Sequence, residues 1–149
     1  MPSKADDLAS RLERFAVRIV KLTQMMAREP ATDVIARQVV ASGTGQASNY
    51  HAARRARSRR EFIAKLGVAV EEADETERWL AIVRAGNLVK DAVGLEELDW
   101  LTKEAGELRA ILVASVTTAR RNYAMSRKTA QAFKSSKRSS DPEDSSSDP

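Results

Sequence analysis

The stretch SRREFIAKLGVAVEEADETERWLAIVRAGN, residues 58–87, carries a start, a face and a stop for one helix. Ser58 followed by Glu61 fits a capping box, in which hydroxyl and carboxylate each satisfy a free backbone amide. Phe62, Leu66, Ala69, Ala73, Thr76, Leu80 and Val83 then step by 4, 3, 4, 3, 4 and 3, so they share one helical face. Gly86-Asn87 is a good C-terminal stop. The acids of this segment fit a solvated face, with Glu71, Glu75 and Arg78 spaced for intrahelical pairs worth about 0.2–0.5 kcal/mol each. A helix with one apolar stripe needs other helices to cover it.

Three further helices supply that cover. The first runs from about Ser3 to Arg28, with Leu8, Leu12, Phe15, Ile19, Leu22 and Met26 on one face; Glu29-Pro30 ends it, because a residue before proline avoids helical angles. The second runs from about Thr32 to Ala56, capped by Thr32 or Asp33. Its inner stripe is small and partly polar: Ile35, Gln38 or Val39, Ser42, Gly45 or Gln46, Asn49, Ala53 and Ala56. A mid-helix glycine costs about 1 kcal/mol relative to alanine, so Gly43 and Gly45 call for close helix–helix packing. Asn49 on this stripe needs hydrogen-bond partners, and a polar layer of this kind can fix register between helices. The fourth helix runs from near Leu95 to about Met125, with Leu98, Leu101, Ala105, Leu108, Leu112, Ser115, Ala119 and Asn122 along its seam. Pro30, the capping box and Gly86 break the pattern into hairpins rather than one long coiled coil. The expectation is an all-α, up-down-up-down four-helix bundle over residues 1–126, with Leu12, Ile19, Leu66, Leu80, Leu101 and Leu108 buried. Residues 127–149, ending in SSKRSSDPEDSSSDP, are expected to form a disordered polar tail.

Composition narrows the chemistry. The chain has 149 residues, about one domain, with 42% hydrophobic but only 5% aromatic residues, so its core is aliphatic. It has no cysteine, which excludes disulfides and cysteine metal sites, and His51 is its single histidine. Gly43-Thr44-Gly45 lacks the spacing, and the preceding strand, of a phosphate-cradling loop. No catalytic residue, cofactor site or metal site is read from the chain, and an enzyme is the least favoured class. No apolar run approaches the roughly 20 residues of a membrane span. The charged opening MPSKADDLASRLERF lacks an apolar signal core. The expectation is a cytoplasmic protein with no membrane contact.

The net charge of +4 conceals segregation. Residues 37–65 carry seven Lys/Arg against Glu61 alone, residues 71–107 eleven acids against four cations, and residues 109–138 eight cations and no acid. In the expected topology the end of the second helix, the start of the third and the end of the fourth share one pole. Arg54, Arg55, Arg57, Arg59 and Arg60 thereby meet Arg120, Arg121, Arg127 and Lys128, with Lys134, Lys137 and Arg138 within reach. Glu96, Glu97 and Asp99 fall at the opposite pole. Cations at helix C-termini complement the macrodipole by about 0.3–1 kcal/mol each, which suits Arg54, Arg55, Arg120 and Arg121. That account fails for Arg59 and Arg60, in the first turn of a helix. The nucleic-acid-binding candidates are therefore Arg54, Arg55, Arg57, Arg59, Arg60, Arg120 and Arg121, facing RNA or DNA through phosphate contacts that are salt-dependent and weakly sequence-specific. Tyr50 and Phe62 are expected to be buried, which argues against base stacking. The competing reading is an interaction scaffold for an unidentified protein partner, with no nucleic-acid role.

Gln38, Ser42, Gly43, Thr44, Asn49, Tyr50, Ala53, Ser58, Phe62, Ile63, Lys65, Leu66, Glu72, Ala73, Glu75, Thr76, Trp79 and Leu80 match the pattern of a known family. The chain resembles the bacterial four-helix bundle proteins called the 23S rRNA intervening-sequence protein family. It departs at Gly45-Gln46, where Ser-Ile is usual, at Ala52, where Glu is usual, and at Ala41, where Arg is usual. The resemblance implies a four-helix bundle assembled as a ring-shaped homo-oligomer, a pentamer, and no enzymatic activity. Members are encoded within ribosomal RNA insertions or as free genes, and a related group assists retroelement reverse transcriptases by binding nucleic acid. A second apolar set off the main seam, Ile63, Val70, Ile82, Ile111 and Val116, also calls for another surface. In a closed ring the basic poles would face one side.

Overall fold

The computed structural model describes residues 1–139. It contains α1 (Lys4–Gln24), α2 (Pro30–Arg54), α3 (Arg59–Ala85) and α4 (Ala92–Ser139). The ends of these helices follow from local chemistry. Ser3 Oγ accepts the Asp6 N–H at 3.1 Å and the Asp6 carboxylate accepts the Ser3 N–H at 3.0 Å, closing a capping box on α1. Helix α2 starts earlier than expected, with Pro30 in its first turn after Glu29 rather than with a Thr32 or Asp33 cap; proline loses nothing there, because that amide has no intrahelical partner. Ser58 caps α3 as expected, accepting the Glu61 N–H at 3.1 Å, but the Glu61 carboxylate reaches one residue further back, to the Arg57 N–H at 2.8 Å. Asn87 takes the left-handed turn after α3 with φ 52°, a conformation asparagine tolerates. The Asp91 carboxylate accepts the Gly94 N–H at 2.7 Å and starts α4 at Ala92, three residues before Leu95.

Each helix packs against two neighbours: α1 on α2 and α4, and α3 on α2 and α4, with no diagonal contact among the described residues. Side-chain pairs run in opposite directions along neighbouring helices. Arg18 meets Glu97 while Arg11 meets Glu104, and Arg84 meets Asp99 while Arg59 meets Ser126. This is the up-down-up-down bundle. Leu12, Ile19, Leu66, Leu80, Leu101 and Leu108 are all buried.

The polar layer of α2 differs from the expectation. Gln46, not Asn49, turns fully inward, and its Nε2 donates to Thr76 Oγ1 at 3.0 Å. Thr76 in turn donates to the Glu72 carbonyl at 2.7 Å. Asn49 is half-buried and donates to the Gly45 carbonyl of its own helix at 2.9 Å. The seam of α4 also shifts: Val116 is buried where Ser115 was expected, and Asn122 is exposed.

The largest correction concerns the polar tail. Helix α4 has 48 residues and continues through 127–139, so the boundary placed at 127 falls within it. Ala130, Gln131, Ala132, Lys134, Lys137 and Arg138 are mostly good helix formers. The turns before them are already formed, so each added residue gains a hydrogen bond without a new nucleus. The rest of the expected tail, residues 140–149, lies outside the described residues.

Candidate nucleic-acid interface

The loop between α2 and α3 is short because Arg54 ends one helix and Ser58 caps the next. Arg55, Arg57, Arg59 and Arg60 are thereby held at one end of the bundle. Arg120 and Arg121 approach from α4, and Arg59 Nη1 donates to Ser126 Oγ at 3.5 Å across the two helices. The structure thus brings all seven expected arginines to the same pole, and all seven are exposed.

Their electrostatic states differ. Arg54 Nη2 lies 2.5 Å from Asp6 Oδ1, so its charge is spent on tying α2 to the start of α1. The Ser3 hydroxyl and Arg54 together hold the exposed Asp6 carboxyl down to about 2. Among the described residues, Arg55, Arg57, Arg59, Arg60, Arg120 and Arg121 form no ion pair. Arg59 and Arg60 occupy the first turn of α3, where positive charge opposes the helix dipole. With α4 ending at Ser139, Arg120 and Arg121 lie far inside that helix. Dipole complementation therefore does not account for them.

The opposite pole is not the mirror image of this one. Glu97 and Asp99 lie there as expected, but Arg18 grips Glu97 with two hydrogen bonds, at 2.6 and 2.8 Å, and Arg84 pairs with Asp99. The Arg18 guanidinium also stacks on Trp100, 3.4 Å from the ring centre. Further along the same seam Arg11 holds Glu104 and Glu107. At the acidic end Glu97 and Asp99 are paired from within the chain, while Glu96 is exposed with no ion pair among the described residues; at the basic end one of the seven arginines, Arg54, is paired.

Between α3 and α4 the pole carries a groove of about 380 Å³ whose lining includes Arg60 and Arg120, the acid Glu71, and Ile63, Gly67 and Tyr123. The Arg120 guanidinium lies over Gly67, 3.6 Å from where a methyl group there would sit. Tyr123, half-buried with Arg127 5.9 Å above its ring, is an aromatic at the pole that the sequence reading did not single out. Tyr50 is buried, as expected, whereas Phe62 is only half-buried. Helical spacing from Val116 would have found Tyr123, because the residues at 116, 119 and 123 share a face.

Among the described residues no helix is long and apolar enough to cross a membrane, and no three His, Asp or Glu side chains converge as a metal would require.

The family described as 23S rRNA-intervening sequence protein matches residues 7–114. A solved structure similar to the chain is that of a protein with unknown function from the S23 ribosomal protein family of Bacteroides thetaiotaomicron VPI-5482. It is 30% identical, with a TM-score of 0.68, and the match covers 77% of this chain and 99% of that one. No curated protein matches the chain.

Proposed function

The chain belongs to the 23S rRNA-intervening sequence protein family, and we propose that it is a non-enzymatic, cytoplasmic accessory protein that holds nucleic acid by phosphate contacts at its basic pole. The observation that carries this reading is the asymmetry of the two poles. Six arginines at one end make no ion pair among the described residues, while arginines of α1 and α3 engage Glu97 and Asp99 at the other. A fold that pairs Glu97 and Asp99 and leaves its strongest cation cluster open, against the helix dipole at Arg59 and Arg60, retains a field able to attract a polyanion. In a homo-oligomeric ring, a pentamer, the field of several poles would add.

Gel-shift titration with RNA and DNA at physiological salt tests it. Replacing Arg57, Arg59 and Arg60 with Gln is expected to weaken binding alike for all sequences. The slope of log affinity against log salt becomes shallower by roughly 0.7–0.9 per lost contact. Wild-type protein that binds neither polymer would leave the protein-scaffold reading in its place.

A further inference from the structure

Beyond Ser126 the inner face of α4 changes character. Leu108, Leu112, Val116, Ala119 and Tyr123 follow one another on the face turned toward the bundle. Arg127, Ala130, Lys134 and Arg138 continue that face at spacings of 3 or 4. The stripe is apolar where other helices cover it and basic where none does. Residues 127–139 are exposed throughout, and they extend about 20 Å past the start of α3. No acid occurs on α4 after Glu107. The projecting helix and the pole arginines therefore form a corner, joined where Arg59 meets Ser126.

We infer that this corner holds duplex DNA, with the projecting end of α4 in the major groove and Arg57, Arg59 and Arg60 on the flanking phosphates. The inference rests on the nucleic-acid reading of the pole and adds the polymer and the inserted element. A helix with its side chains is about 10–12 Å across, and the B-form major groove is about 12 Å wide. The major groove of an A-form RNA duplex is too narrow and deep for it. Ala130 keeps the middle of the basic stripe slim. Met125 and Thr129 lie on the other side of the helix and take no part in this contact, while Phe133, 71% exposed, lies on the flank of the stripe, three residues from Ala130.

The test uses the full chain with a DNA duplex, an RNA duplex of the same sequence and the single strands. Wild type is expected to prefer duplex DNA by roughly tenfold, and the Arg127→Gln, Lys134→Gln, Arg138→Gln variant to lose about that factor for DNA alone. Ala130→Pro, which breaks the projecting helix but keeps every charge, is expected to lose DNA affinity as well, with the thermal midpoint of the bundle unchanged. Met125→Ala, on the far side of the helix, is expected to bind as wild type. Equal affinity for both duplexes, tighter binding of single strands, or undiminished DNA binding by the triple variant overturns the inference. Those outcomes leave the pole reading standing wherever Arg57, Arg59 and Arg60 still matter. Binding to no polymer defeats both.

Discussion

Ile19 of α1 rests on the bare backbone of Gly43 in α2: a methyl group on Gly43 would lie 2.8 Å from Ile19 Cγ2. Two residues on, Gly45 faces a different neighbour, because a methyl there would meet the end of the Glu72 side chain at 2.8 Å. Ile19 is fully buried and held on all sides, whereas the Glu72 carboxyl can swing away. Gly43→Ala is expected to destabilise by about 1–3 kcal/mol through overpacking. Gly45→Ala is expected to be neutral or to stabilise by up to about 1 kcal/mol through helix propensity. Urea denaturation of the two variants checks this, and equal losses would contradict it.

Gln46 Oε1 is buried without a hydrogen-bond partner, while its Nε2 bonds Thr76. An unpaired buried acceptor costs about 1–3 kcal/mol, and Thr76 keeps its own bond to the Glu72 carbonyl. Gln46→Leu is expected to raise stability by about 1 kcal/mol. A loss of that size in denaturant titration would show that the amide stabilises more than its lone acceptor costs.

The hydrogen bonds from Arg18 hold the Glu97 carboxyl below its usual range. A depressed carboxylate contributes stability that is present above its unfolded value, 4.5, and is lost as pH falls through the folded value. Burial, then the neighbouring Glu75 and Glu71, push Glu72 the other way. Its ionisation therefore opposes folding at neutral pH, and that cost disappears as pH falls. Thermal midpoints should show Arg18→Met less stable than wild type at pH 7 and closer to it near pH 3. Glu72→Gln should be more stable at pH 7. Parallel curves for wild type and Arg18→Met would exclude the clasp as an acid-sensitive element.

Ile82 and Ile111 remain 43% and 36% exposed on the outer faces of α3 and α4. If copies of the chain cover them, light scattering at micromolar concentration will report several times 16.4 kDa. Ile111→Asp should lower that mass. A monomer mass for the wild type would end the ring reading. Val116, grouped with them by sequence, belongs to the core instead.

The 4-3 spacing of α1 and α3 led directly to the buried leucines, because an amphipathic stripe with a proline stop or serine cap admits one register. Helix α2 was harder. Gln46 and Asn49 both fit its inner face, and only the crossing of α2 and α3 decides which side chain meets Thr76. The extent of α4 was missed for a different reason. Polar composition after Met125 means exposure, and exposure does not prevent helix once the preceding turns exist. The shared pole followed from helix order alone. The Arg18–Glu97 and Arg11–Glu104 pairs, 79 and 93 residues apart, leave no local signature.

Because α4 is one unbroken rod, its projecting end takes its heading from the packing of Leu112 and Val116. A tilt of about 10° at the pole would carry Arg138 sideways by roughly 3 Å, given an arm of about 20 Å. Substitutions deep among the aliphatic side chains could then re-aim the arginines without touching one. The core in that sense acts as the fulcrum for the surface.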